Sequence, residues 1–406
     1  MKKVQDFRAP FQALQNGDPE ELFLGMPTPA YIIDEQQLQA NGAILSGIAK
    51  ETGARILLAQ KAFSGFDFYP LLSPFLAGTA SSALYEARLG YEKMPGKEVH
   101  VYSCAYKYEE FARLMKFADH IVFNSISQLE TFGPTAKGYG KSVGLRINPQ
   151  CSTQKAVLYD PCAAGSRLGV TRAQWDLGME DSLLNLLDGL HFHTLCEQGP
   201  EDLQATLQAV DHSFGDILRG LKWINMGGGE CITDPRYEKE QLIQCIRYAE
   251  DSWNTQVYLE PGEAVAQNAG FLVTRVLDIV ENSGTKTAIL DASPACHAPD
   301  VIEMPYAPLV YGSGDTGRYL YRLAGPTCLA GDIWGEYIFQ EPLSIGSMVV
   351  FGDMAVYTTC KNNTFNGMPL PNIWAWQNRQ DFSVLTHFSY EDFLGRLGSV
   401  HSIAEN

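Results

Sequence analysis

Short hydrophobic runs alternate with longer segments of mixed polarity between about residue 30 and residue 260. Each run is short and apolar enough for a buried β-strand, and the segments between the runs suit helices. Strands that alternate with helices predict βα units and a parallel sheet. About eight such units favour a TIM (β/α)8 barrel over an open sheet. The predicted strands contain AYIID, RILLAQKA, GTASS, VHVYS, HIVFNS, SVGLRIN, GLHFHTL, WINMGGG and QVYLEPG.

The pattern changes after about residue 272. Runs such as FLVTRVLDIVEN, KTAILDAS and MVVFGDMAVYTT follow one another with Gly, Pro and Asn between them and no intervening helix. Such spacing predicts hairpins and a mostly antiparallel β-domain. We therefore predict an α/β fold of two domains, with the barrel formed by residues 28–272 and the β-rich domain by residues 1–27 plus 273–406.

Composition narrows the classes of function. A net charge of −17 argues against a nucleic-acid partner and is compatible with a cationic small-molecule ligand. The nine cysteines show no C-x-x-C spacing, so we expect reduced thiols, a cytoplasmic location and no metal site. No apolar run is long enough for a membrane span, and none is predicted.

Four segments carry candidate chemistry, and each ends a predicted barrel strand. Lys61 follows RILLA, where a desolvated amine could attack an aldehyde, although a lysine there could also extend its ammonium to solvent. His191 and His193 share one face of GLHFHTL, and His193 is the one expected to stack on a cofactor ring, the alternative being a hydrogen-bonded core histidine.

The other two segments are MGGGE and LEPGE. Backbone N–H groups of Gly227, Gly228 and Gly229 could converge on a phosphate, or the glycines could form an ordinary tight loop. Glu260 ends an otherwise apolar strand, where it could keep a pyridine nitrogen protonated or form a salt bridge at the barrel rim. Lysine, imidazole, phosphate loop and carboxylate together suit pyridoxal 5′-phosphate.

In the β-rich domain, Cys328 in GPTCLAGD could donate a proton, and Tyr357 in GDMAVYTT could reach the phosphate. Inert packing is the alternative for both.

The combined motifs resemble the fold-type III pyridoxal-phosphate decarboxylases, which include ornithine, diaminopimelate and arginine decarboxylases and have alanine racemase as a distant relative. Within them the resemblance is to carboxynorspermidine and carboxyspermidine decarboxylases. It extends from PTPAYIID, near residue 27, to PNIWAW, near residue 376. It includes GLRINP at 144–149, GSRLGV at 165–170, CHAPDVIEMPYAP at 296–308 and NTFNG at 363–367.

The resemblance implies a role for each candidate. Lys61 would carry the cofactor, His193 would stack on its ring and Glu260 would meet the ring nitrogen. The phosphate would be held by Gly227, Gly228, Gly229, Gly262 and Tyr357. Cys328 would act on the substrate carbon, on a loop donated by the second subunit of a homodimer.

Two departures from the resemblance bear on the substrate. Glu263 stands where related decarboxylases usually have arginine, and a carboxylate there attracts an amine and repels a distal carboxylate. Leu329 follows Cys328 where an acid is common, and the next acid is Asp332. We expect Glu263, Asp300, Glu303 and Asp332 to be candidates for binding the amines of a cationic amino-acid substrate, although acids in such loops are often only solvated.

The hypothesis is decarboxylation of carboxynorspermidine and carboxyspermidine to norspermidine and spermidine. The alternatives are a diaminopimelate decarboxylase, which Glu263 and Leu329 disfavour, and a catalytically inactive cofactor-binding relative. Alanine racemase chemistry is disfavoured because it places arginine, and not an acid, against the ring nitrogen.

Overall fold

The structure is a computed structural model of the 406-residue chain, and it describes residues 9–14, 18–154 and 157–398. Residues 1–8, 15–17, 155–156 and 399–406, which belong to both predicted domains, lie outside the described residues. The chain divides into a barrel unit, Gln39–Val265, and a sheet unit, Met1–Leu38 with Ala266–Asn406. None of the described helices combines the length and apolar character needed to cross a bilayer.

The first elements of the described chain lie ahead of the barrel. A 3-10 helix, Ala9–Leu14, is followed by helix α1, Pro19–Leu22, and strand β1, Ala30–Asp34. Strand β1 was predicted to begin the barrel. It instead pairs antiparallel with a later strand at Ala30–Ile33 and parallel with another at Ala30–Asp34, and both partners belong to the sheet unit.

Eight parallel strands close the barrel, and the last pairs with the first. They are β2 Arg55–Ala59, β3 Gly78–Ser81, β4 Glu98–Tyr102, β5 His120–Phe123, β6 Ser142–Arg146, β7 Gly189–His191, β8 Trp223–Asn225 and β9 Gln256–Leu259. Between and around them lie helices α2 Glu35–Thr52, α3 Tyr69–Leu72, α4 Leu84–Lys93, α5 Tyr108–Leu114, α6 Ile126–Gly138, α7 Arg172–Gly178, α8 Asp181–Leu184, α9 Pro200–Leu218, α10 Lys239–Trp253 and α11 Glu263–Ala266. Two 3-10 turns, Phe66–Phe68 and Val157–Tyr159, complete this part of the chain.

The longer helices follow from local sequence. Helix α9 begins with proline at its first turn, where the missing N–H costs nothing, and acids follow in that turn. Its buried positions, including Leu203, Leu207, Val210 and Phe214, recur at helical spacing. Helix α10 ends where Asn254 adopts a left-handed conformation with φ 54°.

A mostly antiparallel sheet forms the second unit. Its order is β12-β14-β13-β11-β10-β1-β16-β17, and β15 pairs with β10. Only the pairs β1–β16 and β11–β13 are parallel among the described strands of this unit. The strands are β10 Gly270–Asn282, β11 Thr285–Leu290, β12 Ser313–Gly314, β13 Tyr319–Ala324, β14 Ile333–Phe339, β15 Met348–Gly352, β16 Asn372–Gln377 and β17 Asp381–Thr386. The helices are α12 Pro294–His297, α13 Asp300–Glu303 and α14 Tyr390–Leu397, with a 3-10 turn at Phe365–Gly367.

The predicted fold class, a (β/α)8 barrel with a mostly antiparallel β-domain, is confirmed. The unit boundaries in the structure follow Leu38 and Val265, compared with the predicted boundaries at 28 and 272. The difference has a physical cause, because the pairing of β1 with β10 and β16 assigns residues 30–34 to the sheet.

Strand register arranges inward-facing residues of the barrel in layers. Gly144, Gly189 and Trp223 are register neighbours on β6, β7 and β8. The Trp223 indole fills the space beside both glycines, since a Cβ at Gly189 would lie 2.0 Å from its Cδ2 and one at Gly144 would lie 2.3 Å from its Cη2. Two residues further along, Arg146, His191 and Asn225 form the next layer on the same three strands.

The Trp223 packing yields a stability prediction. Gly189→Ala places a methyl group inside the indole, so we expect the free energy of unfolding to fall by about 3 kcal/mol. The matched control is Gly47→Ala on exposed α2, where a Cβ meets nothing within 4 Å. It should be neutral or stabilising by about 0.5–1 kcal/mol. Chemical denaturation measures both, and equal effects would contradict the packing argument.

Candidate active site

Lys61 lies at the carboxyl end of β2, one residue beyond a tightly held glutamine. The buried Gln60 donates its backbone N–H to the Ala80 carbonyl (3.0 Å) and its side-chain Nε2–H to the Tyr69 hydroxyl (3.1 Å). Its Oε1 accepts from the Ser81 hydroxyl at 2.6 Å. These contacts fix the backbone from which the Lys61 side chain extends.

The electrostatic surroundings of Lys61 favour its neutral amine. Its side chain remains exposed, yet the dense protein around it desolvates the ammonium and lowers its pKa. Glu260 acts in the opposite direction, whereas the Arg146 guanidinium lowers the pKa further. A lysine with a depressed pKa is a better nucleophile near neutral pH.

His193 follows β7 by two residues and is held on both sides. Its Nδ1 accepts the Gly228 N–H at 3.2 Å, and its carbonyl accepts from Arg146 Nη2 at 2.9 Å. Burial lowers the pKa of His193 well below its ordinary value, and the charges of Lys61 and Arg146 act in the same direction. The ring is therefore neutral, with its proton on Nε2.

The three glycines after β8 are required by close packing. A Cβ at Gly228 would lie 2.2 Å from the Glu260 carbonyl oxygen, and one at Gly229 would lie 2.1 Å from the Leu195 carbonyl oxygen. Gly227 and Gly229 also have positive φ, at 72° and 100°.

The N–H groups of this loop were predicted to converge on a phosphate. The Gly227 N–H donates to Asn225 Oδ1 at 2.9 Å, and the Gly228 N–H donates to His193. Of the three N–H groups, only that of Gly229 makes no hydrogen bond to any described residue. Two of the three predicted phosphate donors are therefore hydrogen-bonded to other residues of the barrel.

Glu260 follows β9 and has two side-chain neighbours. Asn225 Nδ2–H donates to its Oε1 at 2.7 Å, and His191 Nε2 lies 3.5 Å from its Oε2. Burial alone would raise the pKa of Glu260, but the contact with His191, the nearby His100 imidazole and the Asn225 hydrogen bond lower it to about 2. The carboxylate is ionised throughout the neutral range.

Gly262 and Glu263 complete this turn. A Cβ at Gly262 would lie 2.6 Å from the Ala62 Cβ, so the glycine lets the LEPGE turn pack against the segment that carries Lys61. Glu263 opens α11 and is partly buried.

The structure adds residues to which the sequence gave no role in the site. Arg146, His191 and Asn225 form one layer of the barrel, and Tyr102, at the end of β4, stacks on His191 with ring centroids 5.2 Å apart. The signal was present in GLRINP and HFHTL, because Arg146 and His191 lie within predicted strands, near the ends that face the candidate chemistry. It could not be used without the register that makes them neighbours.

Cys328, Tyr357, Asp300, Glu303 and Asp332 all lie in the sheet unit. Cys328 is the exposed one of the nine cysteines, and its backbone N–H donates to Asn366 Oδ1 at 2.8 Å. Tyr357 follows β15 in a left-handed conformation with φ 52°.

Asp332 was predicted to bind a substrate amine, but its buried carboxylate is surrounded by donors of its own unit. These are the Ser293 hydroxyl, the Ala295 N–H, and the hydroxyl and N–H of Thr327, at 2.7–3.2 Å. Four donors occupy both of its oxygens. Asp332 therefore shapes the cysteine loop, and its binding of a substrate amine stays a prediction that requires these donors to be displaced.

Asp300 and Glu303 occupy the first and last positions of the single turn α13. Both carboxylates bind the Lys361 ammonium, which approaches Glu303 Oε2 to 2.6 Å and also contacts Asp300 Oδ1. These hydrogen bonds raise the pKa of Lys361 despite its partial burial, which acts in the opposite direction. Asp300 and Glu303 therefore bind an alkylammonium group, which is that of Lys361 in the same chain.

Comparison with known proteins gives consistent matches. The family model described as pyridoxal-dependent decarboxylase, C-terminal sheet domain, matches residues 30–355. The chain is 39% identical over 379 residues to a carboxynorspermidine/carboxyspermidine decarboxylase of Campylobacter jejuni, covering 90% of this chain and 97% of the relative. It is 38% identical over 376 residues to a carboxyaminopropylagmatine decarboxylase of Synechocystis, covering 92% and 96%.

A solved structure extends this likeness to three dimensions. The crystal structure of carboxynorspermidine decarboxylase from Campylobacter jejuni, complexed with norspermidine, superposes with a TM-score of 0.84 at 38% identity. The alignment covers 91% of this chain and all of the other. The resemblance predicted from sequence motifs is confirmed, and this chain belongs to the pyridoxal-dependent decarboxylase family.

Proposed function

We propose that this enzyme decarboxylates carboxynorspermidine and carboxyspermidine, releasing carbon dioxide and forming norspermidine and spermidine. The observation that carries the proposal is the 39% identity, over nearly the whole chain, to a decarboxylase of these two substrates. The likeness to a structure that holds norspermidine supports the same class of product. The acidic net charge of −17 is compatible with a cationic substrate.

The residues at the open end of the barrel fit pyridoxal 5′-phosphate. Lys61 would hold it covalently, since its pKa is lowered and its side chain is accessible. His193 would pack against the ring, and Glu260 would meet the ring nitrogen. The phosphate would be held chiefly at the Gly229 N–H, with Gly262 nearby and Tyr357 as a further ligand. Gly227 and Gly228 would shape this loop through their own hydrogen bonds.

When bound, this cofactor supplies an electron-accepting ring that takes up the electron pair left by decarboxylation. The chain contributes charge and proton transfer. Glu260 stays ionised and so favours a protonated ring nitrogen. The bond between the α-carbon and the carboxylate breaks, and a proton from Cys328 or Lys61 forms the new carbon–hydrogen bond.

Glu263 is our proposed ligand for an amine of the substrate. Glu263 is the first residue of α11 and directly follows Gly262. Its anionic side chain would repel a second carboxylate on the substrate. Asp300 and Glu303 remain candidate amine ligands only if a substrate ammonium displaces Lys361, to which both are bound.

A second candidate substrate is carboxyaminopropylagmatine. The Synechocystis decarboxylase of that compound is 38% identical over a similar length, so overall similarity does not separate the two substrate classes. Both substrates are cationic, and both are compatible with Glu263.

We also propose a homodimer in which the loop that carries Cys328 completes the active site of the other subunit. Exposure of Cys328, alone among the nine cysteines, supports a role outside its own core. Asp332 and Asn366 give that loop a fixed shape.

The first test removes the Lys61 amine that is proposed to hold the cofactor. Purified protein should show a visible absorption band of bound cofactor that is absent from Lys61→Ala, because a covalent bond to the amine is lost. Lys97→Ala, which removes a lysine that bonds the Leu76 carbonyl, is the matched control and should retain the band. The cofactor assignment fails if the native protein shows no band even after cofactor is added.

Substrate choice is tested by carbon dioxide release from carboxynorspermidine, carboxyspermidine, carboxyaminopropylagmatine and diaminopimelate. We expect one of the first three to be preferred, and Glu263→Gln to raise its KM by about tenfold through loss of one charge contact. Glu92→Gln on exposed α4 is the control for loss of negative charge. Preference for diaminopimelate would refute the role given to Glu263.

Sharing of active sites is tested by mixing Lys61→Ala with Cys328→Ala. Cys328→Ala is expected to be inactive if Cys328 supplies the proton, and the activity of each variant alone is measured first. Random exchange of subunits gives half heterodimers with one intact site each, so activity should recover to about a quarter of the native value. Light scattering measures the mass of each species. A monomer, or a mixture that stays inactive after proven exchange, would contradict the shared site.

A further inference from the structure

His191 is buried near the proposed cofactor site, and the proposed function assigns it no role. Its side chain is 1% exposed, and neither ring nitrogen has a hydrogen-bond partner among the described residues. Leaving a buried polar group unsatisfied costs free energy, so such a group calls for an explanation. The nearest acceptor is Glu260 Oε2, 3.5 Å from Nε2 and at the limit of hydrogen-bond distance.

Packing fixes the plane of the His191 ring. The Tyr102 ring lies against it with an interplanar angle of 19°, and the Tyr102 hydroxyl donates to Asn124 Oδ1 at 2.7 Å. On the Tyr102 ring, the Arg146 guanidinium carbon lies 4.7 Å from the centroid. Residues at three strand ends thus surround the His191 ring, which lies against Tyr102 with Nε2 3.5 Å from Glu260 Oε2.

The charges around His191 decide its protonation state. Burial lowers its pKa, contact with Glu260 raises it, and Arg146 and Lys61 lower it again. Burial and the Arg146 guanidinium act in the same direction even when Lys61 is a neutral amine, so the neutral imidazole is favoured.

A neutral donor and a charged donor would have different consequences for Glu260. A protonated imidazole would form an ion pair and compensate the carboxylate's charge. A neutral N–H orients the carboxylate but leaves its full negative charge, which a ring nitrogen can then use. Asn225, on the other oxygen, is also a neutral donor.

We propose that His191 is a positioning residue that, as a neutral imidazole, directs its Nε2–H at Glu260 Oε2 and, with Asn225, orients this carboxylate without compensating its charge. The inference rests on the proposed function only in assigning Glu260 to the ring nitrogen of the cofactor. The tautomer and charge of His191 are properties of the protein alone.

The first measurement is nitrogen-15 NMR of histidine-labelled holoenzyme and of the Lys61→Ala protein. The chain has eight histidines, and the His191 signals are those that His191→Gln removes. We expect a ring that is neutral at neutral pH and protonated on Nε2 in both proteins. A ring that is cationic at neutral pH, or one that is protonated on Nδ1, would overturn the proposal.

The second measurement is the pH profile of kcat. His191→Leu removes the donor, so the pKa of Glu260 should rise, since burial alone raises it. With a raised pKa, Glu260 becomes protonated and loses its charge at a higher pH than in the native protein. The pH profile of kcat should therefore show a new decrease on its acidic side. At neutral pH kcat should fall by about 10- to 100-fold with KM little changed, because an oriented charge has lost one partner.

Two variants separate positioning from a structural effect. His191→Gln offers a neutral N–H in the place of Nε2 and should restore most of kcat and remove the new decrease on the acidic side. His212→Gln, on the exposed face of α9, controls for the substitution itself and should leave the profile unchanged. A fall in kcat that is equal at every pH, without rescue by glutamine, would overturn the proposal.

The tests of His191 and of the proposed function fail separately. If the native protein lacks a cofactor band, the proposed function is wrong, whatever the state of His191. If the band is present but His191 is cationic, the proposed function stands and the positioning role is refuted. If His191→Leu does not fold, the NMR result and the His191→Gln profile still decide.

Discussion

The contact of the Trp223 indole with the glycines of β6 and β7 is the packing interaction on which the candidate site depends. Gly144 and Gly189 have no side chains, so the indole lies directly against their backbone, and a Cβ at either position would overlap it. This contact fills the barrel below the layer of Arg146, His191 and Asn225. Successive side chains of a strand point alternately into and out of the barrel. A one-residue shift in strand register would therefore turn Arg146, His191 and Asn225 away from Glu260.

The electrostatics of the site are set by burial and not by the net charge of the chain. Although the protein carries a net charge of −17, burial lowers the pKa values of Lys61, His191 and His193, and the Arg146 guanidinium acts in the same direction. The carboxylate of Glu260 opposes this effect on all three groups. Neutral bases surrounding one carboxylate are the arrangement that covalent cofactor chemistry requires.

Three acidic residues of the sheet unit were predicted to bind substrate amines because of their charge. In the structure their carboxylates bind groups of the chain itself. Asp332 satisfies four donors of the loop that carries Cys328, and Asp300 and Glu303 share the Lys361 ammonium. None of these contacts has a sequence motif. Apart from the Thr327 contacts within the loop, they join residues 37 to 61 positions apart, and only folding brings such residues together.

The sequence by itself determined the fold class and the family, because strand periodicity, strand-end position and short motifs are local properties. Lys61, His193, Glu260 and the three glycines were predicted as site residues for the same reason. Tertiary structure decided that β1 belongs to the sheet unit, that two glycine N–H groups bond inside the barrel and that His191 faces Glu260. Each of these depends on register and on contacts between distant segments, which a linear pattern does not specify.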